Sequence, residues 1–335
     1  MTSLPPRVPI GRRALAGLLA APALAAPALA PGLARAQGAW PDRPIRLIVP
    51  FAPGGATDSS ARAMSDRLSA VLGQTVVVEN RSGAGGSIGA GVAAQARPDG
   101  ATFLLDTIVQ VVNPLVLRGL PFDYRTAFTP VMQVTRLPLA LAVRADFPAQ
   151  NLAEFVAEAK RRPGQISCGN AGNATAAHLA AALLQSRAGI ELNNLPYRGG
   201  GDAGRDIAGG TLDSGMLTLV SLVALVQGGR ARFLAVASPQ RTSLLPDVPT
   251  LAESYPGTAL DEWTGLFAPA GTPAPILEKL QAAVVKVLAE PEIRHRLAQI
   301  GAEPVGSSPE EFARFLAESR QQAEMLVREA KIEPS

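Results

Sequence analysis

Residues 44–58, PIRLIVPFAPGGATD, decide the fold class of this 335-residue chain. Their apolar, β-rich start predicts a short buried strand, and Pro53-Gly54-Gly55 ends that strand. Thr57 or Asp58 then caps a helix predicted from Ser59 to Leu72, because apolar residues recur there at helical spacing. A strand, a glycine turn and a capped helix form the first half of a βαβ unit.

The same alternation continues along the chain. A second strand is predicted over 75–79 and a third over 102–105, and between them a glycine-rich loop leads into a helix over 89–96. This order predicts a parallel sheet with helices on both faces. The pattern starts again near residue 138 and the last third is mainly helical, so we expect an α/β protein with two lobes, each a mostly parallel sheet flanked by helices.

Composition excludes several classes of protein. Apolar residues make up 47% and charged residues 18%, which excludes a disordered chain. The single cysteine, Cys168, excludes an intramolecular disulfide framework, and the two histidines, His178 and His295, leave little material for a zinc site. We therefore expect neither a metal nor another cofactor.

The positive net charge belongs to the first 36 residues. They hold four arginines and no acid, so removing them changes the formal charge from +3 to −1. A nucleic-acid-binding protein needs a basic face on its folded domain. We therefore expect no nucleic-acid partner.

Residues 1–36 have the pattern of an export signal. Arg12-Arg13 precedes an Ala/Leu-rich stretch, and Ala34-Arg35-Ala36 matches a cleavage site, so the mature chain is predicted to start at Gln37. Three prolines in the apolar stretch argue against a membrane anchor, and no later segment is long and apolar enough to span a bilayer. A periplasmic protein is predicted, with the twin-arginine and the ordinary secretion routes both open.

Two loops are candidates for ligand binding. The first loop, Pro50 to Asp58, and the second loop, Gly169 to His178, each follow a strand and lead into a helix, where α/β sheets place their ligands. Neither loop contains Lys or Arg. They therefore suit capture of an anion by backbone N–H groups and hydroxyls, although ordinary βα turns with capped helices would show the same pattern.

A third loop, Tyr197 to Asp202, carries three glycines before a predicted helix. Glycines allow a ligand to approach the backbone closely. Its one cation, Arg198, either pairs with a ligand carboxylate or is a solvated surface charge, and we favour the second.

Motifs for catalysis are weak. Residues 85–89 match the G-x-S-x-G pattern of α/β-hydrolases around Ser87, but no strand leads directly into the serine. His178 is expected on a helix face near the cleft, His295 on the surface, and Cys168 as a buried small residue. No catalytic residue is assigned, and we do not expect an enzyme.

Seven motifs in order give the chain a resemblance to a known family. It resembles the substrate-binding proteins of tripartite tricarboxylate transporters, the Bug family of extracytoplasmic solute receptors. The motifs are WPDRPIRLIVPFAPGGATD at 40–58, NRSGAGGSIGA at 80–90, PDGATFLL at 98–105, GNAGNATAAHLA at 169–180, PYRGGGDAGRDIAGG at 196–210, LPDVPTLAE at 245–253 and PAGTP at 269–273.

This resemblance implies a type II periplasmic-binding fold, a "Venus flytrap" that closes over a small carboxylate. It implies a first lobe of residues 37–138 and 259–335, a second lobe of 139–258, and hinge strands near 137–143 and 255–263. Transporter subunits in the membrane are the implied partners, and a monomer is expected. The implied ligand-binding residues are Phe51, Ala52, Pro53, Gly54, Gly55, Ala56, Thr57, Asp58, Thr107, Gly169, Asn170, Ala171, Gly172, Asn173, Ala174, Thr175, His178, Gly199, Gly200, Gly201 and Asp202.

The chain also departs from the family pattern. Leu217, followed by Thr218, stands where relatives often carry an aspartate, Ala174 stands where glycine is common, and Thr107 to Val111 is unusually apolar. These departures predict a less polar end of the pocket, suited to an apolar or aromatic monocarboxylate. A secreted hydrolase using Ser87 and a sensing receptor without a transporter are the alternative functions.

Overall fold

The computed structural model describes residues 40–329, and the predicted export signal and cleavage site lie outside them. The strands are β1 (Ile45–Val49), β2 (Val76–Asn80), β3 (Thr102–Asp106), β4 (Phe128–Leu137), β5 (Leu139–Arg144), β6 (Ser167–Asn170), β7 (Asn193–Pro196), β8 (Ser214–Thr218), β9 (Ala231–Val236), β10 (Glu262–Pro269) and β11 (Glu303–Pro304). The helices are α1 (Ala56–Leu72), α2 (Ser87–Ala94), α3 (Val109–Val116), α4 (Leu152–Arg161), α5 (Ala176–Ala188), α6 (Gly200–Gly209), α7 (Leu219–Gln227), α8 (Leu251–Ser254), α9 (Ala274–Ala289), α10 (Pro291–Gln299) and α11 (Pro309–Glu329).

These strands form two sheets. The first has the order β11-β4-β10-β3-β1-β2 and the second β7-β6-β8-β5-β9. In the first sheet β1 runs parallel to β2 and β3, as the βαβ pattern predicts, and in the second β6 runs parallel to β7 and β8.

Both sheets are mixed: most strands of each sheet run in one direction, as expected, and antiparallel strands are inserted among them. β10 is antiparallel to β3 and β4, and β5 is antiparallel to β8 and β9. Only Pro138 separates β4 from β5, which belong to different sheets. Two parallel neighbouring strands must be joined by a long crossover connection. β4 passes directly into β5 of the other sheet, without such a crossover.

The first helix begins earlier than predicted. α1 starts at Ala56 with Gly55 at the N-cap position, and neither Thr57 nor Asp58 caps it. Gly54 has a left-handed backbone, with φ of 78°, which turns the chain directly into the helix. Asp58 is instead buried inside the first turn.

Apolar packing fixes each sheet against its helices. Leu47 and Val49 of β1 share a buried cluster with Met64 of α1 and with Leu280 and Val284 of α9. In the second sheet, Ala142 and Val236 cluster with Ile207 of α6 and Leu222 of α7. The last helix, α11, packs on β4 and α3 and also touches α5. Within residues 40–329, no helix has the length and apolar character needed to cross a membrane.

Candidate ligand-binding cleft

A small cavity lies between the two sheets, at the ends of several strands. Its volume is about 40 Å³, far below the roughly 300–1,000 Å³ of pockets that hold small molecules. The strands and loops of the first sheet contribute Phe51, Gly55, Ala56, Thr57, Thr107 and Glu262, and those of the second contribute Ala171, Thr175, Gly199, Gly200, Thr218 and Ser221. We call this space the cleft cavity.

The two sides of the cleft are in contact. A β-carbon placed on Gly199 would lie 3.6 Å from the Ala52 Cβ, and one placed on Gly201 would lie 3.3 Å from the Gly54 carbonyl oxygen. The first and third loops therefore touch.

The first loop is held by a buried carboxylate. Asp58 accepts hydrogen bonds from the Gly54 N–H (2.9 Å), Arg62 Nε (2.9 Å) and Asn80 Nδ2 (2.9 Å). Asn80 also donates to the Phe51 carbonyl at 3.0 Å. Burial by itself would raise the pKa of Asp58, but the hydrogen bonds from Arg62, Gly54 and Asn80 outweigh it and lower that pKa. Asp58 is thus occupied in holding the loop.

The second loop is held by neutral groups. Asn170 Oδ1 accepts from the Gly172 N–H at 2.9 Å, and the Thr175 hydroxyl donates to the Gly172 carbonyl at 2.7 Å. His178 Nδ1 accepts from the Ala174 N–H at 3.2 Å, and burial lowers the pKa of His178, so the imidazole is neutral. These bonds leave the loop rigid and uncharged.

The helices that begin around the cavity differ in whether a side chain already caps their first N–H groups. α1, α6 and α7 begin without a side-chain cap, at Gly55, Gly199 and Thr218. α5 is capped by the Thr175 side chain. Because uncapped N–H groups and the helix dipole attract anions, the open binding capacity lies at α1, α6 and α7.

Nine of the predicted site residues line the cavity: Phe51, Gly55, Ala56, Thr57, Thr107, Ala171, Thr175, Gly199 and Gly200. The others lie nearby without lining it: Ala52, Pro53, Gly54, Asp58, Gly169, Asn170, Gly172, Asn173, Ala174, His178, Gly201 and Asp202. Asp202 forms an ion pair with Arg205, and Arg198 is exposed, as favoured from the sequence.

Sequence reasoning missed three residues that line the cavity. Thr218 ends β8, and Ser221 lies in the first turn of α7. The tendency of α/β sheets to bind ligands at the carboxyl ends of their strands could have indicated both. Glu262 is the first residue of β10, and nothing in its sequence context placed it here.

Groups that could support catalysis or metal binding are occupied or isolated. Cys168 is fully buried, and burial raises the pKa of its thiol to about 11. Ser87 begins α2, and within residues 40–329 its hydroxyl has no hydrogen bond to a histidine or a carboxylate. In that same part of the chain, no three metal-ligating side chains come together.

Two α/β lobes that close loops over a cavity define a two-lobed solute-binding protein of the periplasmic type. A family model, the tripartite tricarboxylate transporter family receptor, matches residues 60–332, and the chain belongs to that family. Protein BugT of Bordetella pertussis is 34% identical over 293 residues, which cover 87% of this chain and 90% of BugT. These findings confirm the resemblance.

Solved structures agree with the family. A protein of R. palustris with adipate has a TM-score of 0.85 and 34% identity, covering 88% of this chain and 100% of its own. MatC from Rhodopseudomonas palustris with bound malate has a TM-score of 0.81 and 32% identity, covering 86% of this chain and 100% of its own. The two-lobed α/β fold is therefore confirmed, and so is the general function of a receptor that binds carboxylates.

Proposed function

We propose that the ligand's carboxylate binds between the start of α1 on one side and the starts of α6 and α7 on the other. The observation that carries this proposal is the convergence of these uncapped helix starts on one cavity. Thr57 and Ser221 add hydroxyl groups there. Charge-assisted hydrogen bonds from backbone N–H groups are about twice as strong as neutral ones.

Capture proceeds by closure of the lobes. The first and third loops touch at Ala52 and Gly199, so closure buries whatever lies between them. We place the hinge where the chain crosses between sheets, at Pro138 and between β9 and β10. The first lobe then consists of residues 37–138 and 259–335, and the second of 139–258. Closure of this kind is a common device of two-lobed binding proteins.

The receptor works outside the cytoplasm and hands its cargo to a membrane transporter. Membership of the transporter-receptor family supports this part of the proposal, as does the export-signal pattern of residues 1–36. We propose a monomer that binds without chemical turnover, as do solute-binding proteins in general. The ligand belongs to the same broad class as adipate and malate, the small carboxylates in the relatives' structures.

Native mass spectrometry of the purified protein is the first test, followed by calorimetric titration of the carboxylate that it identifies. Thr57→Val replaces a cleft hydroxyl by a methyl group of the same size, and we expect the affinity to fall about tenfold. Thr211→Val changes an exposed threonine beyond α6 and should bind normally.

Retained affinity in Thr57→Val would place the carboxylate elsewhere. Conversion of the ligand into a product, abolished in Ser87→Ala, would show a hydrolase instead of a receptor.

A further inference from the structure

Glu262 is a buried acid in the wall of the cleft cavity. It is the first residue of β10, and only 7% of its surface is exposed. It also borders a second cavity of about 400 Å³, which Arg136 lines as well. The residues that line the cleft cavity include no Lys or Arg, so this carboxylate has no cation beside it there.

The partners of Glu262 are backbone N–H groups, one of them at the start of α3. Its Oε1 accepts from the Ile108 N–H at 3.2 Å, where α3 begins, and from the Trp263 N–H at 3.0 Å. The Ala176 N–H, at the first residue of α5, also favours the charged form of this carboxylate and so lowers its pKa. An acid on the first sheet therefore takes up the anion-binding capacity of α3 and α5.

A second buried acid stands next to a residue that lines the cleft cavity. Asp106 precedes the cleft residue Thr107 and is fully buried, and its Oδ2 has no hydrogen-bond partner. Burial, and to a smaller extent the nearby Glu262 carboxylate, raise the pKa of Asp106 to about 8, so Asp106 is mostly protonated at neutral pH. The cleft cavity is therefore bordered both by open helix starts and by the Glu262 carboxylate.

We propose, on the basis of the function proposed above, that Glu262 determines specificity. It selects a monocarboxylate whose far end donates a hydrogen bond, such as an amide, hydroxyl or amine, and it rejects a second carboxylate. Glu262 lines the same cavity as the starts of α1, α6 and α7, so a ligand whose carboxylate binds at those helix starts brings the rest of its structure close to Glu262. Like charges at close range in a partly desolvated site repel each other strongly.

This assignment separates the chain from relatives whose structures hold the dicarboxylates adipate and malate. It also refines the expectation of an apolar or aromatic monocarboxylate. One carboxylate remains in the ligand, but its far end is a hydrogen-bond donor instead of an apolar group.

Matched pairs of ligands test the proposal. The affinities of succinate and succinamate, and of adipate and adipamate, are compared by calorimetry at about pH 8.5. Burial raises the pKa of Glu262 to about 7, so at this pH the group is charged. The wild-type protein should bind each monoamide at least about tenfold more tightly than its diacid.

Two variants complete the test. Glu262→Gln keeps an acceptor oxygen for the Ile108 and Trp263 N–H groups and should bind the diacids about tenfold more tightly than wild type does. Asp66→Asn is the control, because it also removes a carboxylate, but Asp66 is exposed on α1 and does not line the cleft cavity. It should keep the wild-type ratio of affinities.

Equal or tighter binding of the diacids by the wild type would overturn the role of Glu262 and leave the proposed function intact. An unchanged ratio in folded Glu262→Gln would overturn it as well. If none of the four compounds binds to any of the proteins, carboxylate capture at this cleft fails together with the role of Glu262. The wild-type ratio tests the role of Glu262 even if the variant does not fold.

Discussion

The first and second loops lie on opposite sides of the cleft and are held by different chemistry. In the first loop a buried carboxylate, Asp58, gathers N–H groups from Gly54, Arg62 and Asn80. In the second loop the neutral side chains of Asn170 and Thr175 hold the backbone, by hydrogen bonds to the N–H and the carbonyl of Gly172.

This difference changes which N–H groups are free at the start of the helix that follows each loop. Asp58 lies within α1 and bonds back to the loop, so the start of α1 keeps its free N–H groups. Thr175 caps α5, and Glu262 from the other sheet reaches the same helix start. The cleft cavity therefore combines open helix starts, which attract anions, with an acid that already occupies other helix N–H groups.

The largest effect is expected from Gly199→Leu, which tests whether the open end of the cleft must close. Gly199 has an extended backbone that any residue can adopt, and a leucine there would press against Ala52. If closure becomes a minor state, affinity for the identified ligand should fall about 100-fold. Gly209→Leu, on an exposed part of α6, is the control and should bind normally. Normal binding by Gly199→Leu would show that these loops need not meet.

Asp58→Asn tests whether the charge of the Asp58 carboxylate is needed to hold the first loop. The lowered pKa of Asp58 means that its ionised form stabilises the fold at pH values above its unfolded pKa near 3.8, and that this contribution is lost as the pH falls through the lower folded pKa. We expect the free energy of unfolding at neutral pH to fall by about 2 kcal/mol, measured by urea denaturation. Asp66→Asn, on the exposed face of α1, should change it little. Equal losses in the two variants would contradict a special role for Asp58.

Asp106→Asn tests the acidic end of the cleft. Burial raises the pKa of Asp106 from 3.8 to about 8, so the folded state loses stability as the pH rises between these values. The variant should therefore be more stable than wild type at about pH 8, by roughly 1–3 kcal/mol. At about pH 4 the two should unfold alike. A stability gain of the same size at both pH values would exclude ionisation as the cause.

The smallest effect is expected from Ala174→Gly in the second loop. Ala174 has a left-handed backbone with φ of 62°, which is costly for any residue with a Cβ. Glycine should stabilise the protein by about 0.5 kcal/mol, measured as a shift of the unfolding midpoint. Ala177→Gly, inside α5, should instead destabilise it by roughly 0.5–1 kcal/mol. Loss of stability in both variants would mean that the loop is not strained at Ala174.

Local patterns in the sequence were sufficient to predict the elements that begin the first sheet. β1, α1 and β2 follow from residues 44–79 because an apolar run, a glycine turn and helical spacing are all properties of neighbouring residues. The departure at Ala174 was also visible, and its left-handed backbone explains why glycine is common there.

The strand β10 could not be predicted from local patterns of this kind. All eight of its residues are buried, so it has no alternation of polar and apolar positions, and its partners β3 and β4 are far away in the chain. The helix α3 was not predicted either, because Thr107 to Val111 is rich in β-branched residues, which have only a modest preference for helices. Both elements depend on packing that becomes visible only in the folded chain.

By itself, the sequence determined the family, the two-lobed α/β fold and the cation-poor loops, since short motifs and composition carry these features. Only the tertiary structure decided which helix starts remain open and which are already occupied. Asp58 turned out to hold its own loop, and Glu262 came from a distant strand to the start of α5. The physical reason is that a hydrogen bond depends on where two groups meet in space, and distance along the chain does not reveal that.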